Sequence, residues 1–246
     1  MSLLFISSAL LPIFGMIFGS FVGVIYHRKI ASRIKKEIII TRSHCDTCYK
    51  QLKILELLPI VSYLILRGRC RDCQSEIPIQ YFYIEILFLI ISLNLLLLPL
   101  HIVEAYMALV LIGLLVTQAI SDFLNKELFT LASIFIAILG IIQSLIFSTY
   151  SSITFSLSGL ITGFMSLYVI NKIYFLFKRR NGIGEGDFIL FGAILAIHGV
   201  EMFGPILLIA SCITLGIGYL TRSLQGEMPL GTGLAIAGMV FLLIPL

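Results

Sequence analysis

Charged residues are scarce in this sequence, and their scarcity limits what the protein can be. Only 12% of its 246 residues are Asp, Glu, Lys or Arg, whereas 59% are hydrophobic and the mean hydropathy is +1.07. A soluble globular domain carries roughly 25% charged residues. The composition therefore excludes a soluble globular protein. It predicts an all-α polytopic membrane protein in a lipid bilayer, because helices pair their own backbone groups in lipid.

Apolar runs separated by polar segments occupy most of the chain, and about eight of them are predicted to be transmembrane helices. Most approach the ~20 residues that a helix needs to cross the bilayer core. The run 188–200 is short and crosses only if the Gly-rich segment before it lies partly within the membrane. The predicted spans are 3–26, 80–98, 102–120, 128–147, 153–176, 188–200, 203–220 and 230–246.

Lys and Arg are absent before the first run and from one set of loops. Because the run 3–26 is long and no positive segment precedes it, we do not expect it to be a cleaved signal peptide. With eight spans and the N-terminus outside, all 17 Lys and Arg lie on one side of the membrane. The opposite loops, near 101–104, 147–152 and 198–201, contain none.

Positive charge marks the cytoplasmic side of a membrane protein. The distribution therefore predicts a multi-pass protein of the inner (cytoplasmic) membrane with its N-terminus outside. Eleven of the 17 Lys and Arg lie between Arg28 and Arg71, and the others are Lys126, Lys172, Lys178, Arg179, Arg180 and Arg222. The net charge of +4 is then an orientation signal, and no nucleic-acid partner is expected.

One region does not resemble a membrane span, and it contains four of the five cysteines. We divide the chain into a first transmembrane helix (1–26), a cytoplasmic insert (27–78) and a membrane core (79–246). In the insert, Cys45 and Cys48 form one C-x-x-C pair, and Cys70 and Cys73 form another. Two such pairs are typical of a tetrahedral structural Zn²⁺ site.

Two disulfides are the alternative to zinc, and a reducing cytoplasm disfavours them. The neighbouring Lys50, Arg69 and Arg71 favour the thiolate forms that a metal needs. His44 is an alternative fourth ligand, although an adjacent His is more often a bystander. The fifth cysteine, Cys212, lies in an apolar run and is expected to be a small packing residue.

An apolar stretch, ILELLPIVSYLIL, lies between the two cysteine pairs and is called here the apolar segment (residues 54–66). It is too short to cross a bilayer. We expect it to lie on the membrane surface or to pack beneath the zinc site. The plainer alternative is that it forms the core of a small zinc domain.

Aspartate is also rare, with four in the whole chain. Asp46 and Asp72 lie within the cysteine pairs, whereas Asp122 ends the third run and Asp187 begins the sixth. Ionisable groups at the edges of membrane spans are costly and are candidates for function. Two carboxylates that meet there share a proton, so one acts as a base on water and the other as an acid toward a carbonyl. The alternative is that Asp187 only caps a helix.

Three alternating glycines, Gly182, Gly184 and Gly186, precede Asp187. A backbone without side chains lets an extended substrate come close, so Gly184 and Gly186 are predicted to bind substrate. The GK[ST] sequence of a nucleotide-binding loop is absent. Because a helix start favours negative charge and a helix end disfavours it, we hypothesise that Asp187 stays ionised and Asp122 holds the shared proton.

The first run contains glycines at every fourth position, Gly15, Gly19 and Gly23. Small residues at this spacing share one helix face and allow close helix contacts in lipid. We predict that this face packs against another span of the chain or against a substrate helix.

The motif Gly184-Glu185-Gly186-Asp187 resembles the GxGD motif of membrane aspartyl proteases. Over essentially its full length, the chain resembles the type IV prepilin peptidases, including the competence-type enzymes. Four blocks carry this resemblance: GSFVGVIYHR (19–28), ELLPIVSYLILRGRCRDC (56–73), YFYIE (81–85) and PLGTGLAIAG (229–238).

The resemblance implies an aspartic endopeptidase that cleaves the leaders of type IV prepilins or pseudopilins at the cytoplasmic face of the membrane. It implies that Asp122 and Asp187 are catalytic and that Cys45, Cys48, Cys70 and Cys73 bind metal. Many members of the family also N-methylate the new N-terminus with S-adenosylmethionine. That activity is implied by resemblance alone, because GTGLAIAG is a helix-packing pattern and not a cofactor loop.

Two other functions are compatible with parts of the pattern. A membrane transporter would use Asp122 and Asp187 as cation or proton sites between helices. Transporters often contain internal repeats with broken helices near the bilayer midplane, and no repeat is visible here. A zinc-bearing membrane scaffold would not need the GxGD aspartate. The enzyme is therefore the favoured interpretation.

Overall fold

The computed structural model describes residues 2–27, 43–221 and 228–244, with side chains from residue 7. Residues 28–42 of the predicted insert, Arg222 and the last two residues of the eighth predicted span lie outside the described residues. The described parts contain nine α-helices and two short 3-10 helices, which confirms the all-α prediction. The α-helices are α1 (Ser2–Ile25), α2 (Val61–Ile65), α3 (Ile79–Leu97), α4 (Ile102–Asn125), α5 (Thr130–Ile146), α6 (Ile153–Lys178), α7 (Glu185–His198), α8 (Phe203–Leu220) and α9 (Leu230–Leu243).

Five of the described helices are long and apolar enough to cross a membrane, and the protein is an integral membrane protein. The five candidate spans are Ser7–Ile25, Ile79–Leu97, Ile102–Asn125, Ile153–Lys178 and Val200–Leu220. Each of the eight predicted runs does contain a helix. However, α7 and α9 have 14 residues each, or about 21 Å at ~1.5 Å per residue, which is shorter than a ~30 Å bilayer core. A count of eight spans therefore stays a prediction.

The chain forms two compact units, described here separately. Unit 1 comprises Met1–Ala105 and Unit 2 comprises Tyr106–Leu246. This division differs from the predicted one, because α1 and α3 belong to the same unit as the cysteine pairs.

The glycine face of α1 joins the helices of Unit 1. A Cβ atom added at Gly15 would lie 2.7 Å from Ser92 Oγ, and one added at Gly19 would lie 2.8 Å from Phe88 Cβ. One at Gly23 would lie 3.0 Å from a ring carbon of Tyr81. The prediction that this face packs on another span is confirmed. Successive glycines of α1 meet residues progressively earlier in α3, so the two helices run antiparallel.

Helix α7 forms the core of Unit 2. From Asp187 to His198 nearly all its side chains are buried, because the helix is apolar on every side and has helices around it. It packs against α5, α6 and α9. In α9, Gly233 lies against Ala210 of α8 and Gly238 lies against Ile194 of α7, so GTGLAIAG is confirmed as a helix-packing pattern.

One prediction and one alternative about apolar regions require correction. Cys212 is exposed on α8, so it is not a buried packing residue. The apolar segment folds into a 3-10 helix (Ile54–Leu57) and the short helix α2, and neither contains a buried residue. It therefore does not form the core of a zinc domain. Local hydrophobicity does not reveal which side chains a tertiary structure covers.

Candidate active site and metal site

Asp122 lies in the last turn of α4, which continues to Asn125. Its side chain is buried. Both donors of Thr232 point at it: the backbone N–H lies 2.6 Å and the hydroxyl Oγ1 lies 2.9 Å from Asp122 Oδ2. Thr232 is the third residue of α9, so the start of that helix holds the carboxylate in place.

The turn after Asp122 is tied back onto α4. The Gln118 side chain donates to Phe129 O (2.9 Å) and to Ser133 Oγ (2.7 Å), and it accepts from the Phe129 N–H (2.8 Å). Lys126 ends the helix with a positive φ of 57°, and its N–H donates to Asp122 O at 3.0 Å. Because the buried Gln118 side chain pairs both backbone polar groups of Phe129, it fixes the turn that follows Asp122.

Asp187 is the third residue of α7 and is also buried. Its backbone N–H donates to Gly184 O at 3.1 Å. A Cβ atom added at Gly184 would lie 3.1 Å from Asp187 Oδ2, so this oxygen faces the Gly184 backbone. Its Oδ1 is buried and has no hydrogen-bond partner among the described residues. A buried polar atom without a partner is costly and is characteristic of functional sites.

The two predicted aspartates meet at the first turn of α9. Thr232 donates to Asp122, and a Cβ added at the preceding residue, Gly231, would lie 3.0 Å from Asp187 Oδ1. Two carboxylates that are 65 positions apart in the chain therefore lie beside two adjacent residues, Gly231 and Thr232.

The hydrogen bonds favour the opposite proton distribution from the one predicted from helix dipoles. Two donors from Thr232 stabilise the ionised form of Asp122, because hydrogen bonds to a charged form favour it. The unpartnered Oδ1 of Asp187 is suited instead to carry a proton. Helix dipoles alone do not account for these donors, because Thr232 belongs to α9, which is remote in sequence from both aspartates.

The glycines before Asp187 make close contacts. Added Cβ atoms would lie 2.8 Å from Tyr174 Cδ1 at Gly182 and 3.0 Å from Leu128 Cβ at Gly186. Gly184 has an ordinary φ of −68°, so unusual dihedral angles do not explain this motif. That Gly184 and Gly186 bind substrate stays a prediction, and steric fit is a separate reason for glycine here.

The two cysteine pairs of Unit 1 fold into matching hairpins. In the first, Cys45 N–H donates to Lys50 O at 3.0 Å, and in the second Cys70 N–H donates to Ser75 O at 2.8 Å. Each hairpin closes with an isolated antiparallel bridge, His44 with Gln51 and Arg69 with Glu76. Repetition of the geometry presents both pairs of thiols in the same way.

The four thiol sulfurs of Cys45, Cys48, Cys70 and Cys73 lie within 4.8 Å of one another, which confirms the predicted cluster. The Sγ atoms of Cys45 and Cys73 are 3.7 Å apart, and a tetrahedral Zn²⁺ with Zn–S bonds of about 2.3 Å separates its sulfurs by about 3.8 Å. All the cysteines of the described chain are free thiols, so the disulfide alternative finds no support. His44 is outside this cluster.

Hydrogen bonds shift the pKa values of these thiols in both directions. The Lys50 backbone lowers the pKa of Cys48, but desolvation and hydrogen bonds with Cys73, Cys45 and Cys70 raise it to about 11. Burial raises the pKa of the Cys45 thiol, but hydrogen bonds from the Cys48 backbone and the Ser75 side chain outweigh it and lower that pKa to about 6. The Ser75 side chain also lowers the pKa of Cys73. Lys50, which was expected to act on the thiols, makes an ion pair with Asp72 at 2.6 Å and links the two hairpins.

A cavity of about 160 Å³ lies in Unit 1 between the cysteine hairpins and the α1–α3 pair. Five acidic side chains line it, together with the cationic Lys50 and Arg71, and Glu56 and Glu85 are the two least exposed of the five. The Glu56 side chain is only 10% exposed, and its Oε1 has no hydrogen-bond partner among the described residues, although Arg71 Nη1 lies 4.0 Å away. Glu85 of α3 is buried and accepts the Ile60 N–H at 2.6 Å. The cavity therefore offers negative charge to a cationic ligand.

Comparison with known proteins assigns both units to one family. Residues 13–98 match the bacterial peptidase A24 N-terminal domain, and residues 109–219 match the type IV leader peptidase family. A prepilin leader peptidase/N-methyltransferase of Vibrio cholerae is 32% identical, over 83% of this chain and 82% of its own. The chain belongs to the type IV leader peptidase family.

Other members of the family are similar over most of their length. A type 4 prepilin-like proteins leader peptide-processing enzyme of Escherichia coli is 28% identical, over 92% of this chain and 89% of its own. A prepilin leader peptidase/N-methyltransferase of Legionella pneumophila is 29% identical, over 85% of this chain and 74% of its own. No solved structure matches the chain. These matches confirm the resemblance seen in the sequence and give the transporter alternative no support.

The family matches separate the two predicted sites. The leader peptidase match contains both Asp122 and Asp187, and the N-terminal domain match contains all four clustered cysteines. Thr232 lies beyond the leader peptidase match.

Sequence reasoning did not identify three residues that hold the candidate active site. Thr232 lies in a block that carried the family resemblance and was interpreted as helix packing, but it was not singled out as a site residue, and neither was Gln118. Asn171 of α6 accepts the N–H groups of Gly182 and Ile183 at 2.8 and 3.1 Å, which fixes the glycine loop. The available signal was the same for Gln118 and Asn171, a polar amide within an apolar run.

Proposed function

We propose that this protein is a membrane aspartic endopeptidase that cleaves the leaders of type IV prepilins or pseudopilins at the cytoplasmic face of the membrane. The observation that carries the proposal is the meeting of Asp122 and Asp187 at the Gly231–Thr232 step. The names of the relatives, prepilin leader peptidases, supply the substrate class.

In the proposed reaction, Asp122 is the base and Asp187 is the acid. A water between the carboxylates loses a proton to Asp122 as its oxygen attacks the carbonyl carbon of the leader. Asp187 donates its proton to the carbonyl oxygen, so that a neutral tetrahedral intermediate forms. When the C–N bond breaks, the proton on Asp122 passes to the leaving amine. One hydroxyl of the intermediate returns its proton to Asp187 as the new carboxylic acid forms, so both aspartates regain their starting protonation.

Cleavage of a prepilin-like peptide by the full-length protein in membranes tests this function. We expect Asp122→Asn and Asp187→Asn each to lower the cleavage rate by about 10³-fold or more, because members of a catalytic unit act together. Asp46→Asn is the matched control, since Asp46 lies in a cysteine hairpin, and it should keep near-normal activity. Full activity in either aspartate variant would show that the two aspartates are not a catalytic pair.

The cysteine cluster is proposed to hold one structural Zn²⁺, with Cys45, Cys48, Cys70 and Cys73 as ligands. A tetrahedral four-thiolate set is the usual donor set for structural zinc. When bound, the ion supplies a cross-link between the two hairpins. It takes no part in peptide cleavage, which is assigned to the aspartates.

N-methylation is proposed as a second activity, and the cavity of Unit 1 is its proposed site. The relatives' names include N-methyltransferase, and S-adenosylmethionine, the methyl donor, is a sulfonium cation. The buried Glu56 Oε1 supports this assignment, because a carboxylate oxygen without a donor is suited to a cationic group. Glu56 would hold that cation, and Glu85 would add negative charge to the same lining.

Equilibrium binding measurements distinguish a role of Glu56 in holding the sulfonium cation from a purely structural role. We expect Glu56→Gln to weaken the binding of S-adenosylmethionine several-fold more than that of S-adenosylhomocysteine, a neutral thioether. Glu76→Gln, at an exposed carboxylate of the same lining, should change neither. Equal losses for both ligands would contradict the charge-based assignment.

The membrane topology is proposed as eight spans with an outside N-terminus in the inner membrane, a cytoplasmic insert (27–78), and an aspartyl protease core (79–246). The proposal is supported by the distribution of Lys and Arg. In it, α7 and the segment before it cross together, which places Asp187 near the cytoplasmic edge.

A further inference from the structure

The apolar segment leaves a hydrophobic surface uncovered on Unit 1. Exposure reaches 82% at Ile54 and 75% at both Leu55 and Ile65. Contiguous exposed apolar surface of this kind marks contact with a membrane or another protein. The exposed large hydrophobic residues of the segment are Ile54, Leu55, Leu57, Leu58, Val61, Leu64 and Ile65.

Two contacts attach this segment to the side of α3. The backbone N–H of Ile60 donates to Glu85 Oε2 at 2.6 Å. The Tyr63 ring stacks on the Phe82 ring with centroids 5.0 Å apart. Glu85 is buried. Its carboxylate therefore connects α3 to the apolar segment.

These contacts set the depth of the segment in the membrane. Helix α3 has 19 residues, about 28 Å at ~1.5 Å per residue, so nearly its whole length is needed to cross a ~30 Å core. Its first residue, Ile79, thus lies close to one edge of the core. Glu85 is six residues further along, and about 9 Å deeper. A segment bonded to Glu85 therefore lies below the membrane surface and not above it.

The charges beside the segment match this position. Lys50 and Lys53 precede it, Arg67 and Arg69 follow it, and all four are exposed. Apolar elements at a membrane interface are commonly flanked by Lys and Arg, which contact anionic headgroups. The only acidic residue within the segment, Glu56, is turned into the cavity of Unit 1.

We propose that the apolar segment inserts its exposed side chains into the bilayer leaflet on the side where α3 begins, anchored beside the first two turns of that helix. A depth of about 5–10 Å is typical of elements that lie in the membrane interface. Several backbone N–H groups of the segment are paired, since Ile60 donates to Glu85, and Ser62 and Leu64 donate to Leu58 O and Ile60 O within the segment. Because the cysteine pairs precede and follow it, the segment holds the cysteine cluster against the membrane.

The absence of tryptophan from the chain allows a direct test. Leu55→Trp and Ile65→Trp, each the only tryptophan of a full-length protein, are reconstituted into vesicles with and without lipids brominated in the upper acyl chain. Ile90→Trp, 58% exposed in the middle of α3, is the membrane standard, and Tyr49→Trp, 70% exposed in the first hairpin, is the water standard.

We expect emission from positions 55 and 65 to shift to the blue and to be quenched by bromine several-fold more than emission from position 49. Strong quenching by a water-soluble quencher, with bromine quenching no greater than at position 49, would overturn the proposal. Blue-shifted emission protected from both quenchers would also overturn it, because the surface would then be covered by protein, such as a second copy of the chain.

Variants of Glu85 test the anchor in the Leu55→Trp background. Glu85→Gln keeps an acceptor for the Ile60 N–H and should preserve bromine quenching. Glu85→Leu removes the acceptor and should reduce bromine quenching at position 55. The control combines Glu85→Leu with Ile90→Trp, and quenching at position 90 should be unchanged. Unchanged quenching at position 55 in Glu85→Leu would show that Glu85 does not set the depth.

Discussion

At the scale of single residues, Thr232 is the partner that distinguishes the two aspartates. Its backbone N–H and its hydroxyl both lie within hydrogen-bonding distance of Asp122 Oδ2, and the hydroxyl also lies 3.1 Å from Ala119 O. Asp187 receives no such donors at Oδ1. The chemistry of the pair therefore depends on a residue that carries no charge and attracts little notice in the sequence.

Removing the Thr232 hydroxyl should weaken catalysis without abolishing it. Thr232→Val keeps the shape and the backbone N–H but loses one hydrogen bond to a charged group, about 1.5–3 kcal/mol, or about 10- to 100-fold in rate. We expect the loss in kcat, measured with a prepilin-like peptide, with little change in KM. Thr232→Ser should restore most of the activity, and a Ser variant as impaired as the Val variant would indicate a packing role alone.

Gly231 should tolerate no side chain. A Cβ there would lie 2.9 Å from Leu128 Cδ1 and 3.0 Å from Asp187 Oδ1, so Gly231→Ala must displace one of them. We expect a large loss of peptidase activity with the protein still folded, as judged by its thermal unfolding. Gly216→Ala in α8 is the control, because a Cβ there meets nothing within 4 Å. Equal activities of the two variants would exclude tight packing at the dyad.

At the scale of elements, glycine faces set how closely the helices approach. Helix α1 meets α3 through Gly15, Gly19 and Gly23, and such contacts replace the hydrophobic driving force that is missing between helices in lipid. In Unit 2, Gly163 of α6 and Gly192 of α7 lie against each other's helices in the same manner. Glycine spacing therefore predicted a packing face correctly, although it did not name the partner helix.

A larger residue at Gly19 should separate α1 from α3. A Cβ there would lie 2.8 Å from Phe88 Cβ, so we expect Gly19→Leu to lower the thermal stability of Unit 1 in detergent. Adding Phe88→Ala should recover part of the loss by making room at the contact. If Gly19→Leu unfolds at the same temperature as the unmodified protein, the contact is not tight.

The cysteine hairpins should bind one Zn²⁺ per chain. Elemental analysis of purified protein is expected to find it, and Cys48→Ser or Cys73→Ser should lose it and loosen the hairpins, because metal binding and folding are linked in such sites. Cys212→Ser is the control, since Cys212 lies outside the cluster, and it should retain the metal. Metal-free protein with its thiols oxidised in pairs would contradict the assignment.

At the scale of the whole molecule, the candidate metal site and the candidate active site lie in different compact units. The cysteine cluster and the carboxylate-lined cavity belong to Unit 1, and the aspartates with their supporting residues belong to Unit 2. Loss of metal is therefore expected to affect the stability of Unit 1 more than the chemistry of cleavage.

The orientation of the chain can be measured by labelling introduced cysteines in intact cells. The Cys212→Ser background keeps the four cluster cysteines, so modification is read at the introduced position by peptide mapping. There, Glu201→Cys should react with an impermeant maleimide from outside. Lys178→Cys should react only after the membrane is opened, because positive charge marks the cytoplasmic side. Both positions are exposed at helix ends of Unit 2. The reverse pattern would invert the proposed topology and place the aspartates on the outer face.

The sequence by itself determined the class of the protein, its candidate residues and its family. Composition alone excluded a soluble domain, because buried and lipid-facing residues must both be apolar. Spacing alone identified the four clustered cysteines, since two hairpins with the same geometry bring their thiols together. The scarcity of aspartate and the GxGD pattern selected Asp122 and Asp187. All of these signals are short in range or depend only on composition.

Only the tertiary structure decided how these residues act on one another. Thr232 reaches Asp122 across 110 positions of the chain, so its two donors, and the proton distribution that they favour, follow from the packing of α9 and not from any local pattern. The same is true of Glu85, which bonds the backbone of Ile60 and so sets the depth of the apolar segment. Contacts between remote residues depend on how helix faces fit together, and hydrophobic periodicity reports which face is apolar but not what it meets.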